Sequence, residues 1–188
     1  MSSVSRIAWS ASMIALGIGL PFAFHLVGLG KVFLPMHIPV LLCGFLTDSW
    51  TALFVGALTP VLSAVLTGMP TLVPPVAQAM TVELTLYGVL SSFFYRKMRW
   101  NVYVSLALAM LAGRLVYGVL GVALMPLLNM KPVPILYPVT IGLAGSVPGL
   151  ILQIIVVPPL VAVAEKSIGS LRQRRAHKPH PAHGKTSR

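Results

Sequence analysis

The sequence predicts an all-α protein, an integral membrane six-helix bundle with both termini inside. Three observations carry that prediction. Hydrophobic residues make up 56% of the 188-residue chain and charged residues only 9%, with a mean hydropathy of +0.88, whereas about a quarter of a soluble domain is charged. The apolar residues fall into runs, most of them near the roughly 20 residues that cross a hydrocarbon core of about 30 Å. Finally, the net charge of +11 is gathered in short basic clusters beside the apolar runs and in the tail, which is how topology signals are distributed rather than a nucleic-acid surface. No nucleic acid is expected as a partner; membrane lipids are.

The first run, residues 7–29, is longer than the roughly 7 to 15 residues of a signal-peptide core, lacks a small-x-small cleavage site and precedes further spans, so it is read as a helix. The second, residues 36–47, is short. Asp48 and its neighbours separate it from the third, residues 50–66. The fourth is 75–95, the fifth 102–128 and the sixth 137–164. Charge decides whether residues 36–66 cross twice. With six crossings Arg6, Arg96, Lys97, Arg99, Lys166 and the basic tail all lie inside, and only Lys31 and Lys131 face out. A single crossing would put the Arg96 cluster and the tail on opposite sides. The expected organisation is a transmembrane substrate-binding domain over residues 1–166 and a disordered basic cytoplasmic tail over 167–188, the tail having too little apolar surface to offset its chain entropy. His177, His180 and His183 in that tail read as solvated or, less simply, as a metal tract.

The outer connections, 30–35, 67–75 and 129–134, all contain proline, while the inner turns 48–50 and 96–101 contain none. Rigid, shaped loops are therefore expected on the outer face. In the first of them Pro35 and Pro39 flank His37 and bias Leu34 and Ile38 away from helix. Irregular backbone of that kind survives in lipid only when protein covers it or it lines a cavity.

Two charges lie well inside predicted helices, Glu83 and Arg114. Each costs on the order of 3 kcal/mol on insertion scales, so each should face protein, water or ligand. One account is a mutual ion pair between the fourth and fifth helices; the other is contact of at least one charge with a ligand, and the two are compatible. Tyr87 lies one turn from Glu83, and Tyr117 one turn from Arg114. They are read as a flat wall for a ligand or as interfacial anchors. A guanidinium suits a carboxylate or phosphate, and a carboxylate suits a cation, so a small polar molecule can be held at both ends. His37, Asn129 and Gln78 are weaker candidates, and Gln153 is read as a helix-to-helix hydrogen bond. The lone Cys43 reads as an inert buried thiol. On the first helix Ala8, Ala11, Ala15 and Gly19 line up small residues that admit a close helix, from a partner or from within the bundle. No His-Glu-x-x-His, Gly-x-Ser-x-Gly, paired carboxylates or phosphate loop is present, so an enzyme is not expected, no cofactor is expected, and energy for transport must come from elsewhere.

Several ordered blocks carry a family likeness: Leu-Pro-Met-His-Ile-Pro-Val-Leu-Leu-Cys-Gly-Phe (34–45), Leu-Thr-Pro-Val-Leu-Ser (58–63), Leu-Thr-Gly-Met-Pro (66–70), Glu-Leu-x-x-Tyr-Gly (83–88) and Gly-Arg-x-x-Tyr-Gly (113–118). With these blocks the chain resembles the substrate-binding S components of energy-coupling factor (ECF) vitamin transporters, in the group that includes folate and pantothenate binders. The resemblance implies a multi-pass protein of the cell membrane that captures a vitamin-type small molecule near the outer face. Glu83, Arg114, Tyr87, Tyr117, His37, Met69, Pro70 and Asn129 are the expected contacts. It further implies a transmembrane coupling subunit and two ATPase subunits as partners, with Ala11 and Ala15 on the docking face. The competing reading from the residues is a self-sufficient secondary transporter or channel with Glu83 as its ion site; a membrane enzyme is a third.

Overall fold

The computed structural model describes residues 3–26, 28, 33–72, 76–127 and 147–176, which are mostly helical with no strand among them. We number the helices α1 (Ser3–Leu26), α2 (His37–Leu46), α3 (Ser49–Thr67), α4 (Val76–Ser92), α5 (Val102–Leu127) and α6 (Val147–Ala176). A π-helical turn, Phe93–Lys97, prolongs α4. Asp48 starts α3 by accepting a hydrogen bond from the Thr51 backbone N–H, and Gly68 stops it in the left-handed region at φ 72°. The expected start of the sixth helix, 137–146, lies outside the described residues, as do Asn129, Lys31 and Lys131.

Four helices are long and apolar enough to cross a membrane, within Ser5–Leu26, Ser49–Thr67, Val102–Ala123 and Val147–Ser170. Of the six expected spans, two elements fall outside that set. The ten residues of α2 rise only about 15 Å, half the hydrocarbon thickness. The 17 residues of α4 come nearer in length but carry Gln78, Thr81, Glu83, Thr85, Ser91 and Ser92, which dilute its apolarity. A second difference lies at the C-terminal side. Helix α6 runs on through Ser170 to Ala176 into the segment expected to be disordered. That stretch contains no proline before Pro179 and several good helix formers, Leu171 to Arg175 among them. Residues 177–188, with the three tail histidines, lie outside the described residues.

Helix α4 occupies the centre, packed against α2, α3 and α5, while α1 leans on α2 and α3, and α6 on α2 and α5. Close approach depends on glycine. A Cβ on Gly56 would come within 2.6 Å of the Leu84 carbonyl oxygen, one on Gly88 within 2.8 Å of the Ala52 carbonyl oxygen, and one on Gly44 within 2.5 Å of the Gly88 carbonyl oxygen. Small residues at crossing points are how helices in lipid maximise contact, because no hydrophobic drive pushes them together. The outside is correspondingly apolar: Leu16, Phe22, Phe54, Val65, Leu111, Val119, Ile155 and Val163 are exposed, while Glu83, Arg114, His37 and Gln153 are buried. A water-soluble fold has the reverse arrangement.

One end of the bundle is tied by polar bonds. Arg6 meets Asp48 at 3.3 Å, Arg96 donates to the Leu46 carbonyl at 2.7 Å, Ser92 donates to the Thr47 carbonyl at 3.0 Å, and Tyr95 donates to Glu165 at 3.0 Å. These bonds join α1, α2, the α3 start, the π turn and α6 at one level. The chain therefore runs away from this end in α1, α3 and α5 and toward it in α2, α4 and α6. Trp50, Trp100 and Tyr103, all exposed, gather at the same end, where amphipathic rings suit a membrane–water boundary.

Two predictions test this packing. Gly56→Ala should destabilise the detergent-solubilised protein by about 1–3 kcal/mol, since the methyl meets backbone rather than a movable side chain; Gly19→Ala, whose Cβ meets nothing within 4 Å, should not. Equal melting of the two variants would contradict the α3–α4 contact. The second concerns Asp48. Burial alone would raise its carboxyl, but hydrogen bonds from the Thr51 hydroxyl and N–H and from Arg6 hold it below the usual carboxylate range. A depressed folded-state value means the contribution is complete above an unfolded value of about 4 and is lost as pH falls through the folded value. Wild type should therefore out-melt Asp48→Asn at neutral pH and converge with it in acid; a constant gap would refute the charge effect.

Candidate functional site

The irregular chain before α2 sets the geometry of the opposite end. Leu34 adopts a left-handed φ of 48°, costly for a branched side chain, and its carbonyl accepts from both the backbone N–H of His37 at 3.1 Å and the His37 ring at 3.1 Å. Helix α2 thus starts only at His37, well down the bundle. Alongside it α3 rises about 28 Å, so the space above the α2 start is left to loop and side chains. A cavity of about 660 Å³ lies there, lined by Pro21, His25, Leu34, Pro35, Met36, Gly68, Met69, Pro70, Thr71, Val76, Met80 and Tyr117. The two proline segments thus both contribute to its wall, through residues 34–36 and 68–71. The Met69–Pro70 peptide is cis, and Ser63 ties the turn by donating to the Met69 carbonyl at 2.6 Å.

Directly beneath the cavity lies a buried ionic cluster. Arg114 Nε stands 3.2 Å from Glu83 Oε1, Tyr87 donates to the same oxygen at 2.9 Å, and His37 Nε2 faces Glu83 Oε2 at 3.7 Å. The His37 and Tyr87 rings are 5.3 Å apart, and the Arg114 guanidinium lies over the Tyr117 ring at 5.9 Å. Glu83 is 1% exposed, His37 and Tyr87 0%, and Arg114 6%. The sequence pairs at one-turn spacing thus meet as expected, and Glu83 and Arg114 do pair with each other. Met36, Met80 and Tyr117 form the floor between cavity and cluster, being respectively next to His37, one turn before Glu83 and one turn after Arg114.

The hydrogen-bond inventory is incomplete in an informative way. A carbonyl only accepts, so His37 Nδ1 is the protonated nitrogen bonded to Leu34. In the neutral ring Nε2 then presents a lone pair toward a carboxylate oxygen, a contact that only a second ring proton or another donor makes favourable. Arg114 Nε is within ion-pair range of Glu83 but out of line for a hydrogen bond, and both Nε and Nη2 are buried without a hydrogen-bond partner among the described residues. The guanidinium therefore does not use its two-pronged geometry on Glu83 and retains donors for a second acceptor.

Of the expected site residues, Met69, Pro70 and Tyr117 line the cavity, while Glu83, Arg114, Tyr87 and His37 form the cluster under it. Gln78 is exposed and reaches the Leu72 carbonyl at 3.4 Å. Gln153 differs from its expected role: it is fully buried, yet neither amide atom has a hydrogen-bond partner among the described residues, so the expected helix-to-helix bond is not made among them. Met36, Met80, Pro21 and His25 were missed as cavity walls. Spacing alone flags Met80, one turn before Glu83; Pro21 and His25 belong to a helix whose orientation only packing decides. Ala8, Ala11, Ala15 and Gly19 are all exposed, so the stripe is not covered by another described helix. Ala11 also lines an apolar groove of about 450 Å³ between α1 and α3, with Ile7, Ile14, Phe54 and Leu58. Among the described residues no group of three or more metal-ligating side chains assembles.

A family model described as ECF transporter, substrate-specific component, matches residues 6–161. No curated protein and no solved structure matches the chain.

The ionic cluster predicts strong coupling. Arg114→Met leaves a buried carboxylate short of its cation and should cost about 3–5 kcal/mol of stability. Combining it with Glu83→Gln should recover part of that loss, giving a coupling of about 1–3 kcal/mol in a double-mutant cycle of detergent melts. Strict additivity would show that the two charges do not sense each other.

Proposed function

The chain belongs to the family of ECF transporter substrate-specific components, and from that membership we propose that it captures a vitamin-type small molecule at the outer face for ATP-driven uptake. As a member it is a multi-pass membrane protein with a substrate-binding role in transport, in a family of transporter components rather than enzymes. The observation that carries the finer reading is the buried Glu83–Arg114 pair lying under a cavity walled by two proline segments. Buried charges in a membrane protein are costly and mark substrate pathways. A cavity of about 660 Å³ falls in the usual range for small-molecule sites.

In this reading Arg114 and Glu83 orient the ligand, Tyr87 and Tyr117 pack around it, His37 assists, and the Met69-Pro70 turn and the segment before α2 close over it, with Asn129 contributing from the next loop. The spare donors on Arg114 favour a ligand with a carboxylate, as the folate and pantothenate group has. In the same reading the chain crosses six times with both termini inside, which would put the cavity outside and the basic clusters of Arg6 and Arg96 inside. The exposed Ala11 and Ala15 with their apolar groove supply a face for a transmembrane coupling subunit, which would bring two ATPase subunits. Small residues let a partner helix approach closely where lipid offers no better contact.

Native mass spectrometry of the protein purified alone in detergent should find one tightly held small molecule per chain, and Glu83→Ala with Arg114→Ala should weaken its binding about 100-fold or more. Unchanged affinity in a folded double variant would remove these residues from the site. The secondary-transporter reading makes the opposite claim about energy. Solute moved by the reconstituted chain alone down an ion gradient, without partners or ATP, would establish that alternative.

A further inference from the structure

We propose that Gln153 is a substrate-recognition residue, whose side-chain amide completes a polar layer with His37, Glu83 and Arg114 and pairs with an amide-type group on a small carboxylic acid. The inference rests on the substrate-capture reading above. It starts from a register that four helices share. Leu41, Tyr87, Met110 and Val157 belong to one core cluster. Four residues back on α2, α4 and α6, and four residues forward on the oppositely directed α5, stand His37, Glu83, Gln153 and Arg114. Residues four apart on a helix share a face, one above the other. The apolar layer of one level is therefore followed, one turn toward the cavity, by a layer of four polar side chains.

Three members of that layer meet directly, through Glu83. The fourth is Gln153, 0% exposed and with both its carbonyl oxygen and its amino group unpaired among the described residues. Its helical neighbours Val156, Val157 and Val161 pack in the apolar core, so a leucine at 153 would suit α6 by itself. A buried amide with neither half satisfied is unfavourable in the free protein. It is retained here at the level of Arg114, whose Nη2 is also a buried unpaired donor.

The unpaired groups specify a chemistry. Arg114 offers donors only and calls for a carboxylate or carbonyl. Gln153 offers one acceptor beside one donor, whose complement is a donor beside an acceptor: a secondary amide, a lactam or a ureido edge. The substrate class is accordingly a small acid carrying such a group within a few bonds of its carboxylate. Sites built to hydrogen-bond a polar group reject analogues that lack it far more strongly than apolar pockets reject a missing methylene.

Two measurements on wild type, Gln153→Leu and the unbranched Gln153→Met in detergent test the assignment. In protein first washed free of any co-purified small molecule, both variants should melt at or above the wild-type temperature, because an unsatisfied amide has been removed; a fall of several degrees in both would show that the amide makes a structural bond and would overturn the proposal. Calorimetric titration then uses pantothenate, folate and biotin, which join a carboxylate to an amide, lactam or ureido group, against lipoate and nicotinate, which do not. Wild type should bind one of the first three most tightly, and the variants should bind it about tenfold or more weakly. Unchanged affinity in the variants, a preference for lipoate or nicotinate, or no binding of any of the five overturns the assignment. Loss of binding in the Glu83→Ala, Arg114→Ala protein alongside unchanged binding in Gln153→Leu would overturn Gln153 alone and leave substrate capture standing. Absence of any co-purified molecule would strike the capture reading itself.

Discussion

Everything in the interior of this protein is arranged around one carboxylate. Glu83 is 1% exposed in a helix surrounded by other helices, and a bare carboxylate there would be too costly to keep. It is kept because Arg114 from α5 and Tyr87 from its own helix bring partners, with the His37 ring from the start of α2 packed alongside at 3.7 Å. Each partner must arrive at one level, so the carboxylate fixes the relative heights of α2, α4 and α5. The glycines then fix their separation. Gly113 has Tyr87 against the place its side chain would occupy, so the residue next to Arg114 is small for the same reason that Tyr87 can reach Glu83.

The short second helix turns that constraint into a site. Had α2 run the height of its neighbours, its side chains would fill the space above the cluster. Instead Leu34 and Pro35 turn the chain in above His37, and the cavity is lined by that turn and by residues 68–71. Floor and cluster come from the same helical turns, Met80 with Glu83 and Tyr117 with Arg114. A shift of the floor residues therefore bears on the ions beneath, which is how occupancy of the cavity would be felt by the core.

The far end is built differently. There the bonds are exposed or half exposed, between Arg6 and Asp48 and between Tyr95 and Glu165, and they knit α1, α3, α4 and α6 without enclosing a buried charge. Basic residues read from sequence as topology markers thus also serve as ties: Arg96 caps the end of α2 through the Leu46 carbonyl. Exposed pairs of this kind contribute little individually. Their arrangement at one level matters more for how the helix ends are joined than for overall stability.

The all-helical class, the membrane environment, the approximate helix positions and the inward placement of Glu83 and Arg114 followed from the sequence alone. These are consequences of local facts: apolar run length, proline and glycine placement, and the cost of a charge in lipid. Residues one turn apart, such as Glu83 with Tyr87, were legible for the same reason. What only the tertiary structure decided was which helices stop short, which faces turn inward and what meets across them. Run length does not show that α2 begins beneath a cavity, because that depends on a backbone turn at Leu34 and on neighbours of unequal height. Nor does periodicity tell Gln153 apart from a residue bonded to the next helix. Its burial without a hydrogen-bond partner among the described residues is a property of how the helices pack, and no single stretch of sequence contains it.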